Sequence, residues 1–217
     1  MAAKLIEIEQ ARRLVLERAQ TPLEAEPVPV RDALGRVLAE DLSGTEPVPA
    51  SDNSAMDGYA VRAADTAVAP ATLRLVAESR AGSPADRALR KGEAIAISTG
   101  AMVPEGADAV VRVEDTETAE RSVAVSVRVE AGLNIRRAGE DIRVGERVLE
   151  RGTTVGPAEI GVLGSLGSGE VPCARRPRVS VLSTGDELIG FDEPLQLGAV
   201  RNSNSLSVPA LALAAGA

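Results

Sequence analysis

Residues 121–129 read Arg-Ser-Val-Ala-Val-Ser-Val-Arg-Val, with valine at every second position from Val123 onward. Because successive side chains of a strand point to opposite faces of a sheet, this spacing predicts a strand with one buried face. The same period of two recurs in two earlier stretches, at Leu73, Leu75 and Ala77 and at Ile95 and Ile97. Turn-forming sequences such as Gly82-Ser83-Pro84 separate these stretches. The sequence therefore predicts a small, mostly antiparallel β-domain over residues 45–131.

Helical patterns flank this β-domain on both sides. Apolar residues at helical spacing predict one helix over residues 3–20, ended by Thr21-Pro22, and a shorter helix over 32–40. Beyond residue 132, we expect short strands around 143–149 and 153–155 and a helix whose first turn contains Pro157. We interpret 1–44 plus 132–172 as one discontinuous helical and β-rich domain into which the β-domain is inserted.

The C-terminal stretch has a different pattern. Residues 178–189 predict a buried strand that runs into a polar glycine turn, and Asn202-Ser203-Asn204 are suited to cap a helix over 206–214. A strand followed by a helix opens a parallel α/β domain. One strand and one helix cannot bury both of their faces, so we expect residues 175–217 to be the truncated start of such a domain. We also expect this segment to dock poorly.

Composition excludes several classes of site. The chain carries a net charge of −8, contains no histidine and has Cys173 as its single cysteine. Disulfide scaffolds, Cys/His zinc sites and histidine-based catalysis are therefore excluded within this chain, and any metal site uses oxygen ligands, as Mg²⁺ prefers. The acidic balance disfavours nucleic-acid binding. We expect no membrane span, no signal peptide and a cytoplasmic location.

Two polar clusters fall within the predicted β-domain. Residues 51–60 read Ser-Asp-Asn-Ser-Ala-Met-Asp-Gly-Tyr-Ala, where Asp57 is either a metal ligand or substrate contact, or part of a capped turn. Residues 96–111 run from a strand into Ser98-Thr99-Gly100. There the hydroxyls and open N–H groups either cradle an anion or form a plain turn between strands.

Two further clusters follow. At residues 134–142, Arg136 and Arg137 precede two acidic residues, which hold either a cation or the arginines themselves. Residues 183–188 read Ser-Thr-Gly-Asp-Glu-Leu after a predicted strand. Ligands of open α/β sheets bind beyond the carboxyl ends of strands, so this loop suits a phosphate and Mg²⁺, although a purely structural turn is also compatible with it.

In this order, the four clusters resemble the MoeA/gephyrin E-domain family, the molybdopterin molybdenumtransferases. The resemblance rests on residues 49–60, on Thr99-Gly100-Ala101 with 104–111, on 136–142 and on 183–188. It implies an elongated homodimer, a third domain similar to the molybdopterin-binding fold and a further C-terminal β-domain. It also implies the insertion of molybdate into adenylylated molybdopterin with release of AMP, assisted by Mg²⁺.

The resemblance carries roles to particular residues. Asp57, Thr99, Asp141 and Glu187 match the family's functionally important polar residues and are the expected catalytic residues. The resemblance and the position of the fourth loop imply substrate binding by Ser183, Thr184, Gly185 and Asp186, and Mg²⁺ binding by Asp186 and Glu187.

Two other functions compete with this interpretation. One is a non-catalytic scaffold or dimerisation module of the gephyrin type, although the chain shows no long Pro/Ser-rich linker. The other is an unrelated α/β protein that binds Mg²⁺ and phosphate. The resemblance implies further site residues beyond residue 217, so we expect this chain to be a fragment that is inactive alone.

Overall fold

The computed structural model describes residues 5–19 and 23–217. Its α-helices are α1 (Ile8–Arg18), α2 (Pro157–Ser165) and α3 (Asn204–Ala214). The first seven strands are β1 (Ala25–Pro29), β2 (Leu42–Ser43), β3 (Asn53–Ser54), β4 (Gly58–Val61), β5 (Ala71–Ser79), β6 (Glu93–Ile97) and β7 (Ala109–Arg112). The others are β8 (Thr116–Ala119), β9 (Ser122–Val125), β10 (Ile135–Arg136), β11 (Arg147–Leu149), β12 (Glu170–Ala174), β13 (Leu188–Ile189) and β14 (Val200–Arg201). No helix in the described ranges has the length and apolar character that crossing a membrane requires.

The chain folds as two compact units. Unit 1 comprises Met1–Leu42 and Leu149–Ala217, and unit 2 comprises Ser43–Val148. Residues 132–148 thus belong with the inserted unit, whereas the sequence placed them in the discontinuous domain. The reason is local pairing, since β10 pairs with β3 and the N–H of Ile142 donates to the carbonyl of Val48 at 3.1 Å.

Unit 2 is built on a six-stranded sheet in the order β7-β4-β6-β5-β9-β8. Its pairs are antiparallel except for β5 with β6, which run parallel. The period-two residues form its core: Leu73, Ile95, Ile97, Val123 and Val125 are all buried. The predicted strand over 123–129 ends at Val125, because the N–H of Val129 donates to the Thr66 hydroxyl at 3.1 Å instead of to a neighbouring strand.

Unit 1 has its own smaller core. Strands β1 and β12 pair antiparallel, and α2 contributes the buried Leu163. Helix α2 begins with Pro157 at its first turn, as the sequence predicts, and the Glu159 carboxylate accepts the Gly156 N–H at 2.8 Å. The core side chains are Val28, Ala33, Leu38, Val155, Leu163, Val171 and Cys173.

The predicted helix over 32–40 is wrong. Only a short 3₁₀ turn, Val30–Asp32, is present, and Gly35 follows with a φ of +73°. The N–H of Leu38 then donates to the carbonyl of Thr153 at 2.9 Å. Hydrogen bonds to residues distant in sequence replace the i to i−4 bonds of a helix here, and a left-handed glycine does not continue one.

Two predicted helices are present, with shorter bounds. Helix α1 lies inside the predicted range of 3–20, while its predicted end at Thr21-Pro22 lies outside the described residues. Helix α3 contains Pro209, and the Asn202 side chain accepts the Ser205 N–H at 3.1 Å near its start. Neither helix buries a side chain.

The predicted buried strand at the start of 178–189 is wrong. Residues 178–187 contain no strand, and Val179 and Leu182 are 55% and 89% exposed. Regular structure resumes only at β13, which pairs in parallel with β14. A strand needs hydrogen-bonding partners along its length, and no described segment pairs with 178–187.

Candidate functional site

Three of the four polar clusters meet within unit 2. We call residues 51–57, 98–102 and 134–141 the three-loop cluster. Strand β3 lies at its centre, because Ser54 pairs with Ile135 of β10 on one side, while Asn53 forms a bridge with Met102 on the other. Loops that are far apart in sequence therefore lie side by side.

Backbone hydrogen bonds fix the first loop against the second. The Gly100 N–H donates to the Ser54 carbonyl at 2.8 Å, and the Ser54 N–H donates to the Ala101 carbonyl at 2.9 Å. The N–H of Val103 donates to the carbonyl of Asp52 at 2.9 Å. These bonds hold Thr99 next to the turn that carries Asp57.

Asp57 and Thr99 are in direct contact. The Oδ1 atom of Asp57 accepts the Thr99 backbone N–H at 2.7 Å and the Thr99 hydroxyl at 3.0 Å. Both hydrogen bonds, the backbone one more strongly, lower the pKa of Asp57 below its ordinary 3.8. Both residues are exposed, and the second carboxylate oxygen of Asp57, Oδ2, makes no hydrogen bond to the described chain. At neutral pH, Asp57 is therefore an ionised, exposed acceptor whose Oδ2 is not engaged by the described chain.

Of the two alternatives left open for Ser98-Thr99-Gly100, the hydrogen bonds favour the turn between strands over the anion cradle. The Ser98 N–H donates to the Ser79 carbonyl at 3.2 Å, and the Thr99 and Gly100 N–H groups are occupied as described above. The Ala101 N–H donates to the Ser98 carbonyl at 3.0 Å. With these donors engaged, the loop orients a carboxylate instead of receiving an anion.

Asp141 lies in the third loop, paired with Arg136. The Asp141 carboxylate accepts a hydrogen bond from the Arg136 guanidinium, which raises the pKa of Arg136. Arg137 bonds to Asp52 through Nη1 at 2.6 Å. Asp141 therefore holds Arg136, in line with one of the two alternatives that the sequence left open, whereas Glu140 accepts only the backbone N–H of Arg137.

Asp52 is the residue of this cluster that sequence reasoning missed. Its carboxylate accepts the Ala138 N–H at 2.9 Å as well as Arg137, and these two hydrogen bonds lower its pKa. The available signal was the Asp-Asn-Ser run at 52–54, since such side chains often bond to nearby backbone groups. That pattern does not indicate a partner 86 residues away.

The fourth loop lies in unit 1. Thr184, Gly185, Asp186 and Glu187 are exposed, Ser183 is half-buried, and all five precede β13 in a segment without regular structure. The Glu187 carboxylate folds back over Gly185, where a Cβ would lie 2.6 Å from Oε1. The roles predicted for Ser183, Thr184, Gly185, Asp186 and Glu187 stay predictions.

The described residues do not complete a magnesium site. Asp186 and Glu187 are adjacent carboxylates, and nowhere in residues 5–19 and 23–217 do three or more acidic or cysteine side chains gather as a metal would need. Mg²⁺ is usually held by few carboxylates together with water and substrate phosphates. Water and substrate oxygens would therefore have to supply most ligands of a magnesium ion at Asp186 and Glu187.

The fold and the cluster define a mixed α/β chain in which an inserted β-sheet unit presents an Asp–Thr pair among polar loops. Residues 6–167 match the family model described as the MoeA N-terminal region (domain I and II), and the chain belongs to this family. It is 40% identical over 208 residues to a molybdopterin molybdenumtransferase of Haemophilus influenzae, covering 95% of this chain and 51% of that protein.

Two further relatives extend the comparison. A MoeA structure from Pyrococcus horikoshii OT3 superposes with a TM-score of 0.87 at 36% identity, over 97% of this chain and 57% of that one. A protein of Dictyostelium discoideum named gephyrin is 35% identical over 218 residues, covering 91% of this chain and 30% of that protein. The chain thus spans about half the length of the molybdopterin molybdenumtransferase that it matches.

Proposed function

We propose that this protein acts in molybdenum cofactor biosynthesis as part of a molybdopterin molybdenumtransferase, which inserts molybdate into adenylylated molybdopterin and releases AMP. The observation that carries the proposal is the family match over residues 6–167, in a chain whose Asp57 and Thr99 lie in hydrogen-bonding contact. Residues 175–217 belong, in this proposal, to a third domain that carries the fourth loop. A homodimer, Mg²⁺ and a cytoplasmic location remain predictions.

The charge of the three-loop cluster suggests what part of the ligand it contacts. It contains four carboxylates (Asp52, Asp57, Glu140 and Asp141) and two guanidinium groups (Arg136 and Arg137), so its formal charge is −2. Such a surface repels molybdate and phosphate, and it attracts cations and hydrogen-bond donors. We therefore propose that Asp57 contacts a donor-bearing or cation-bridged part of the substrate, and that other residues receive the free anions.

The lowered pKa of Asp57 restricts its chemistry. A carboxylate that is ionised well below neutral pH is an acceptor and a poor proton donor. Thr99 holds it in one orientation through two donors, so the rotation of the side chain is already restricted before substrate arrives. Asp57 thus serves in orientation or in electrostatic stabilisation instead of as a general acid.

The test is molybdenum insertion by the intact protein, measured as reconstitution of an apo-molybdoenzyme from adenylylated molybdopterin and molybdate. We expect Asp57→Asn and Glu187→Gln to fold normally and to lower the rate of insertion by at least about tenfold. Asp115→Asn is the matched control, because Asp115 pairs with Arg112 at 2.9 Å outside the three-loop cluster. Insertion at the wild-type rate in both site variants would refute the assignment of these residues.

The gephyrin-type scaffold is the second candidate, because the chain also matches a protein of that name. It predicts a stable protein partner without binding of adenylylated molybdopterin. Isothermal titration of the intact protein with AMP, molybdopterin and molybdate separates the two functions.

A further inference from the structure

Just beyond the last backbone pair of β3 and β10, a side chain makes the next contact between the two loops. The last paired residues are Asn53 and Arg136, and the next position along would place Asp52 opposite Arg137. There the Asp52 carboxylate bonds to Arg137 Nη1 at 2.6 Å through Oδ2 and to the Ala138 N–H at 2.9 Å through Oδ1. Asp52 thus prolongs the contact between the two loops beyond the end of the ladder.

The backbone of the same residue joins the second loop. The carbonyl of Asp52 accepts the Val103 N–H at 2.9 Å. One residue therefore contacts all three loops of the three-loop cluster: its own loop by sequence, the second by its carbonyl and the third by its carboxylate.

Other anchors of the third loop do not depend on Asp52. The Gly139 N–H donates to the Pro49 carbonyl at 3.0 Å, and the Asp141 N–H donates to the Val48 carbonyl at 2.9 Å. The Arg137 N–H is held within the loop by the Glu140 carboxylate at 2.8 Å. Loss of the Asp52 carboxylate would therefore release residues 137–138 while the remainder of the loop stays attached.

We propose that Asp52 is a positioning residue that holds residues 137–138 in register within the three-loop cluster, and thereby restricts the segment that links Arg136 to Asp141. This proposal rests on the proposed function, because it concerns the geometry of that same site. The side chains of Asp52 and Arg137 are 39% and 59% exposed. Exposed ion pairs add little to global stability, so the effect of Asp52 falls on the position of the loop.

The experiment compares Asp52→Ala, Asp52→Asn and the control Asp115→Asn in the intact protein. Steady-state insertion kinetics and hydrogen exchange of the peptide covering 137–141 are the two readouts. A shift of about 1 Å in a catalytic group can lower a rate by about a hundredfold. We expect Asp52→Ala to lower kcat by about tenfold or more, with KM changed less than twofold and an unchanged thermal midpoint.

The variant Asp52→Asn should have an intermediate effect on kcat. Its amide oxygen still accepts the Ala138 N–H, whereas the charge opposite Arg137 is lost, so kcat should fall less than in Asp52→Ala. Exchange at 137–141 should rise in the same order, and the control should match the wild type in both readouts. Combining Asp52→Asn with Arg137→Gln should lower kcat no further than the worse single variant, because both changes break one link.

Three outcomes would overturn the proposal. An unchanged kcat in Asp52→Ala shows that the carboxylate does not position the site. A fall in kcat that follows a lower thermal midpoint indicates a general structural role. A raised KM with unchanged kcat indicates direct substrate binding.

A wild-type protein that inserts no molybdenum contradicts the proposed function instead, and the exchange measurement then decides separately whether Asp52 holds the loop.

Discussion

The three-loop cluster of unit 2 and the loop 183–188 of unit 1 have similar side chains, since both combine hydroxyl, glycine and acidic residues. Their structural support differs. The loops of unit 2 leave strands whose inward side chains, such as Ile95 and Val110, are fully buried. In the segment around 183–188, Leu182 is 89% exposed and α3 buries no side chain. A buried sheet fixes where its loops begin and end, and a polar loop alone does not.

A first experiment forces apart two paired strands of unit 2, β4 and the edge strand β7. A Cβ at Gly58 would lie 1.9 Å from the Val111 carbonyl oxygen, so Gly58→Ala must push β4 away from β7. We expect the cooperative unfolding transition of unit 2 to disappear, measured by urea titration with circular dichroism. Gly82→Ala is the control: its φ is +77° and its Cβ would meet open space, so it should cost about 1 kcal/mol. Equal stability of both variants would contradict this account.

A second experiment compares the two regions by cavity formation. Ile95 is fully buried and Leu182 is exposed. Ile95→Ala should lower the free energy of unfolding by about 3 kcal/mol, through lost burial and the cavity left behind. Leu182→Ala should change it by less than about 0.5 kcal/mol. A cost for Leu182→Ala similar to that for Ile95→Ala would show that residues 178–187 are packed after all.

Limited proteolysis measures the same contrast without substitution. Arg175 and Arg178 lie in exposed irregular chain, whereas Arg74 lies within β5. We expect trypsin to cleave the 217-residue chain after Arg175 or Arg178 at least about ten times faster than after Arg74, because local opening is cheaper where few contacts are broken. Mass spectrometry of the early fragments gives the order of cleavage. Equal resistance of the two regions would overturn the prediction that 175–217 docks poorly.

The smallest expected effect is the dependence of stability on pH. Asp52 and Asp57 have folded pKa values below their ordinary 3.8, because each carboxylate accepts two hydrogen bonds. Their contribution to stability is therefore present above pH 3.8 and is lost as the pH falls through the folded pKa. In the double variant Asp52→Asn/Asp57→Asn, the urea midpoint of unit 2 should fall less steeply between about pH 5 and pH 2 than in the wild type. An identical slope would show that these hydrogen bonds do not favour the ionised forms.

Short sequence patterns predicted the elements that depend only on residues a few positions apart. Pro157 after Gly156 marked the start of α2, and the alternation around Val123 marked a strand with one buried face. The predicted helix over 32–40 is absent because backbone groups there bond to residues near 153. The strand predicted at the start of 178–189 is absent because it finds no partner in the described chain. A pattern cannot report whether a distant partner competes for, or supplies, the hydrogen bonds.

The same limit applies to the candidate site, where the sequence predicted residues but not their hydrogen-bonding partners. Asp57 and Thr99 were identified from their motifs, but the motif also suggested open N–H groups at 98–100 that the structure shows to be occupied. Asp52 was not singled out, because its partners, residues 137 and 138, come in the sequence only after all the strands of the six-stranded sheet. Side-chain types were readable from the sequence, whereas their partners were not.

By itself, the sequence determined the alternating strands, the residue types of the four polar loops and the exclusion of histidine and disulfide chemistry, because each depends on composition or on neighbours a few residues apart. Only the tertiary structure decided which carboxylate bonds to which donor. Asp57 has Thr99, Asp52 has Arg137 with Ala138, and Asp141 has Arg136. Most of these pairs join residues that are tens of positions apart, and folding of the sheet brings them within hydrogen-bonding distance.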